Sequence, residues 1–157
     1  MELLSTTTTS THFIEVGCSG SVRWKKTSRS SATTTDGDVF GGFYSVPVTA
    51  PGQHCFDPDL FVFSFESHGL CATPQRFPLK AEARDTANVV VYSDGGFKGR
   101  FVTFDGGVGW VSLGNQTSDT FCYDLSGDFE GIETTTLTGK RCCEPFTCCR
   151  LVAIQLN

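Results

Sequence analysis

The chain has 157 residues, 39% of them hydrophobic and 12% aromatic, enough for one domain with a real core and too apolar for wholesale disorder. Its net charge of -5 argues against nucleic acid or an anionic membrane as a partner, since both select a basic surface. No apolar run approaches the roughly 18–20 residues that span a bilayer, so membrane insertion is not expected.

Residues 1–11 are rich in Thr and Ser and read as a flexible tail, with 12–157 as a single domain. Met1-Glu2-Leu3-Leu4 offers neither a basic n-region nor an apolar h-region, so no signal peptide is read. The expectation is a cytoplasmic chain whose eight cysteines stay reduced. Residues 13–16 and 21–24 read as short strands about a Gly17–Gly20 turn. The basic cluster Arg23-Trp24-Lys25-Lys26 with Arg29 reads as a solvated strand end. Residues 27–35 repeat the Thr/Ser composition and read as a polar hairpin loop ending at the turn signal Asp36-Gly37.

Strand character resumes over 39–46, interrupted by Gly41-Gly42. Paired glycines within a strand mark a place where a large ring packs close, here rings from a facing sheet. A Pro-, Gly- and Asp-rich loop follows, then Leu60-Phe61-Val62-Phe63-Ser64-Phe65. Phe61, Phe63 and Phe65 share one face, and the expectation is that they lie in the dry middle between two β-layers. The one helical candidate, 80–86, is too short to stand alone. Further strands are read at 88–92, 100–104, 110–113, 120–125 and 151–156, joined by Gly/Asp/Ser turns. The pattern predicts a mainly β protein: a two-layer antiparallel β-sandwich with a few short helices or helical turns.

Among candidate sites, Cys142-Cys143 and Cys148-Cys149 are the densest cluster. Adjacent strand residues point to opposite faces, so vicinal pairs are poorly placed to chelate one zinc ion; no metal is expected. Arg141 and Arg150 could favour thiolate, which supports the alternative of an oxidation-sensing thiol protein. A Ser-His-Asp set could draw on His54 or His68 with Asp57 or Asp59, but no G-x-S-x-G elbow presents a nucleophile, and no phosphate-binding glycine loop is found. No catalytic residues and no cofactor are read. Tyr92-Ser93-Asp94-Gly95-Gly96-Phe97-Lys98-Gly99 is similar to the hairpin of βγ-crystallin-like calcium modules, a further alternative.

An ordered set of motifs resembles the TLDc domain family, of the oxidation-resistance type. Phe40-Gly41-Gly42-Phe43, then Pro47, then Asp57, then Phe61, Phe63 and Ser64 follow that family's opening signature. Phe77-Pro78, Phe104 with Gly106-Gly107, and Gly139 continue it toward the C-terminus. Val48, Trp110 and Val152 stand where the family carries Trp, Asp and Glu, and its N-terminal helical part is replaced by the Thr tract, so the chain reads as divergent and N-terminally truncated. The loss of covering helices would leave an apolar sheet face exposed unless a partner covers it. The resemblance implies a β-sandwich without catalytic residues, a role in oxidative-stress resistance, and binding to the vacuolar-type proton ATPase.

Overall fold

The computed structural model describes residues 12–17, 29–48, 50–67, 71, 73–92, 100–114 and 120–155. Within them the strands are β1 (His12–Gly17), β2 (Arg29–Thr34), β3 (Val39–Phe43), β4 (His54–Phe56), β5 (Phe61–Glu66) and β6 (Gln75–Pro78). There follow β7 (Asn88–Val91), β8 (Arg100–Asp105), β9 (Trp110–Gly114), β10 (Phe121–Tyr123) and β11 (Cys148–Gln155). A single 3-10 turn spans Ala81–Ala83, within the expected helical stretch, and a short helix α1 spans Leu125–Asp128. None of the described helices is long and apolar enough to cross a membrane.

Two antiparallel sheets result, as the strand pattern predicts. One has the order β1-β11-β2-β3-β5-β6 and the other β10-β9-β8-β7-β4. Between them lies one apolar cluster to which Phe40, Tyr44, Val62 and Phe77 contribute from the first sheet side and Val89, Val91, Phe104, Val111 and Leu113 from the second. Phe146 packs edge-on against Phe40 with ring centroids 5.5 Å apart, closing the end where the chain returns to β11.

The double glycine takes rings on both sides. Gly42 faces the second sheet, and a Cβ there would come within 2.4 Å of the Phe104 ring on β8. Gly41 faces outward, where a Cβ would meet the β2 backbone at Ser30 and Ser31 and the Phe63 ring. Close approach of a facing-sheet aromatic is thus realised at Gly42, while at Gly41 the ring comes from the neighbouring strand.

Two readings are corrected. The Phe61/Phe63/Phe65 row lies on the outer face of the first sheet, not between the layers; Leu60, Val62 and Ser64 are the buried side of that segment. Pairing decides the face. Phe40, Gly42 and Tyr44 occupy the core side of β3, so Phe43 points outward, and β3–β5 register places Phe61 opposite Phe43. The region read as a polar loop over 27–35 contains β2, an interior strand between β11 and β3. Ser30, Ala32 and Thr34 are its buried side, and its backbone at Ser30 and Ser31 lies tight against Gly41.

Carboxylates brace the connections. Asp57, fully buried, accepts hydrogen bonds from the Ser45 amide (2.5 Å), the Ser45 hydroxyl (2.8 Å) and the Asp59 amide (3.0 Å), pinning the entry to β5 beside the exit of β3. Asp128 at the end of α1 accepts from the Val108 and Gly109 amides at 2.6 and 2.5 Å, holding the β8–β9 turn. The residues expected at 1–11 and 21–24 lie outside the described residues.

Candidate functional site: an aromatic face on the first sheet

Antiparallel pairing across β2, β3, β5 and β6 gathers four outward side chains into one stack. Register sets Arg29 opposite Phe43 and Phe43 opposite Phe61; Arg76 on β6 reaches diagonally from its place opposite Phe63. The Phe43 and Phe61 rings are stacked with centroids 4.7 Å apart and their planes 19° from parallel. The Arg29 guanidinium sits over Phe43 at 5.6 Å and that of Arg76 over Phe61 at 3.9 Å. Such cation–ring contacts contribute about 0.5–1 kcal/mol each at exposed sites and fix where the charge is held.

Along β5 the aromatic row continues. Phe61 and Phe63 centroids are 6.4 Å apart, Phe63 and Phe65 5.0 Å. Phe63 is 9% exposed, tucked over Gly41, whereas Phe65 is 55% exposed. Together with Ser31, Pro74 and Gln75 these residues line an open pocket of about 340 Å³. Contiguous apolar surface on an outer face is poorly covered by water alone. Among the described residues neither Arg29 nor Arg76 has a carboxylate at salt-bridge distance.

The other sequence-based candidates fall elsewhere. Phe40, Phe77 and Phe104 are core, Ser64 is buried beneath the aromatic face, Pro78 pairs with Phe61 at the sheet edge, and Pro47 is exposed after β3. Gly106 and Gly107 make the β8–β9 turn, Gly107 with φ +117°, and Gly139 (φ +69°) closes the turn before the cysteines. His54 Nδ1 lies 2.9 Å from Asn88 Oδ1, while the Asp57 carboxylate is engaged by Ser45 and Asp59, so these residues do not assemble a triad. His68 and the calcium-type hairpin residues 93–99 lie outside the described residues.

The cysteines divide. Cys142 and Cys143 form an exposed turn with their sulfurs 3.8 Å apart, Cys143 in the left-handed region at φ +61°. Cys148 is buried and Cys149 exposed, at a β-bulge where β11 shifts register against β2. Burial pushes the Cys122 thiol well up, with nearby Cys142 adding to the effect. Cys143 is raised too, by desolvation first and then by its hydrogen bond and proximity to Cys142. Among the described residues no three His, Cys, Asp or Glu side chains gather as a metal-binding group.

Arg29 is legible in the sequence only as a strand-end charge, and Arg76 only as the neighbour of the motif residue Phe77. The signal that could have found them is parity: each shares the outward side of its strand with the phenylalanine that register sets beside it.

No family model matches this chain, and no curated protein or solved structure matches it either.

Proposed function

We propose that this chain is a non-catalytic, cytoplasmic interaction domain that docks a protein partner on the outer aromatic face of the first sheet. The observation that carries the reading is the Phe43/Phe61/Phe63/Phe65 surface, apolar and partly exposed yet ordered by two stacked arginines. The described cysteines are free thiols, the state a reducing compartment maintains. The resemblance to TLDc domains names the partner to try first, the vacuolar-type proton ATPase, with oxidative-stress resistance as the outcome. The test is capture of ATPase subunits by the full chain and by a Phe61→Ser/Phe63→Ser/Phe65→Ser variant, beside an unrelated acidic β-sandwich. Enrichment by the native chain alone supports the reading; no enrichment over the control removes the ATPase as partner.

A second reading, oxidation sensing, is favoured by the contact between Cys142 and Cys143. Two thiols and one hydrogen peroxide would give a vicinal disulfide and two waters. Loss of two hydrogen masses from the 142–143 peptide under mild peroxide is its test, and sulfinic acid or unchanged thiols would count against it.

A further inference from the structure

We infer that the partner segment received by this face is an amphipathic α-helix, with apolar side chains along one stripe and carboxylates flanking that stripe. The inference rests on the docking reading and adds the chemistry of the ligand.

The stack selects against flat ligands. One face of the Phe43 ring is taken by Phe61 and the other by Arg29, while Phe61 is shared between Phe43 and Arg76. A nucleobase or sugar ring needs an open aromatic face to stack on; this pair keeps none, and Phe65, 55% exposed, offers a single ring at the end of the row and no paired platform. The stack presents outward the ring edges, which carry the positive end of the ring quadrupole, and the guanidinium N–H groups. Both favour anionic oxygen. In a chain of net charge -5, a site with two arginines that meet no carboxylate among the described residues is locally inverted in sign. Complementarity therefore calls for acidic groups on the ligand.

Geometry selects the helix. Arg29 and Arg76 stand on β2 and β6, three strand steps apart, or about 14 Å at normal spacing. A helix about 10–12 Å across fits between them with a flank turned to each. The rings along β5 follow one another at 6.4 and 5.0 Å, close to the helical pitch of about 5.4 Å, so side chains one turn apart can rest on successive rings. From Phe61 to Phe65 the row is about 13 Å long, two to three helical turns. An extended peptide alternates its side chains between two faces and cannot set carboxylates on both flanks of one apolar stripe.

The experiment uses the full chain and two synthetic helical peptides of the same length, each with a leucine stripe, one flanked by Glu and the other by Lys. Binding is followed by fluorescence anisotropy at low and physiological salt. The Glu peptide is expected to bind, to weaken with salt, and to lose about tenfold or more in affinity to the Arg29→Glu/Arg76→Glu variant, which should in turn prefer the Lys peptide. Circular dichroism checks that this variant folds, and Arg29→Gln/Arg76→Gln, expected to lose discrimination between the peptides, serves if it does not. Equal binding of both peptides to the native chain would overturn the acidic-helix inference while leaving docking intact. So would failure of both peptides when Phe61, Phe63 and Phe65 still govern capture of a protein partner. If capture is indifferent to those phenylalanines, the docking reading itself fails. Binding of a single-stranded oligonucleotide in place of the Glu peptide would also overturn the inference.

Discussion

Phe104 of β8 lies across Gly42 of β3 so closely that a single methyl at Gly42 would come within 2.4 Å of the ring. This contact sets how near the two sheets approach. Gly42→Ala is expected to cost about 1–3 kcal/mol by overpacking, read as a lower urea midpoint at unchanged slope. Combining it with Phe104→Leu should recover part of the loss, because the smaller side chain gives the methyl room; strict additivity of the two losses would place the contact elsewhere.

The outer and inner aromatics should separate sharply in stability. Phe40→Ala removes a fully buried ring and should cost about 3–5 kcal/mol. Phe65→Ser, at a position 55% exposed, should change stability by no more than about 0.5 kcal/mol. Urea denaturation of both variants checks this, and a costly Phe65→Ser would return that row to the interior.

Asp57 accepts three hydrogen bonds where β3 and β5 are tied together. Asp57→Ala leaves the Ser45 amide without its acceptor and is expected to lose about 2–3 kcal/mol. Asp57→Asn keeps one carbonyl oxygen and should lose less. A larger loss for Asn than for Ala would contradict the bracing role.

Alkaline stability should carry the signature of Cys122. Its thiol titrates higher in the folded chain than in the unfolded one, so above the ordinary thiol range, about 8.5, the unfolded state releases a proton that the folded state keeps. The contribution is present below that pH and declines as pH rises, by about 1.4 kcal/mol per unit for this one group. Comparing unfolding free energy from pH 8 to 10.5 for the native chain and Cys122→Val isolates it: the variant should decline less steeply. Parallel curves would show that Cys122 ionises equally in both states.

Thiol labelling should divide the cysteines by exposure and by proton affinity. Under native conditions Cys142 and Cys149 should react with iodoacetamide, and Cys71, Cys122 and Cys148 should be protected. Cys143, exposed but with its thiol raised, should lag at neutral pH and gain rate as pH climbs. Peptide mass spectrometry resolves the order, and fast labelling of Cys143 at pH 7 would be the contrary result.

Much of the architecture is legible in sequence because β7, β8, β9 and the core of β5 are apolar runs bounded by turn residues. The glycine pair is legible for the same local reason. What escapes is what pairing decides. Leu60–Phe65 is apolar on both sides, so period two alone cannot say which side is dry; the answer comes from β3, through the register that faces Phe61 with Phe43. The strand Arg29–Thr34 escapes because its composition is that of a loop, and only its pairing with β11 on one side and β3 on the other makes it an interior strand. The candidate site escapes for both reasons together, since its stack is assembled from four strands and includes the one that composition hides.

The order β1-β11-β2 has a consequence for how the chain is made. Among the described strands the last in chain order, Cys148–Gln155, is the wedge that joins the first two. Until it leaves the ribosome, the sheet can exist only as separated pieces, with β2 offering a bare hydrogen-bonding edge to any neighbouring nascent chain. Assembly must then wait for a loop of more than a hundred residues to close, which favours slow folding and makes early chaperone cover advantageous for this topology.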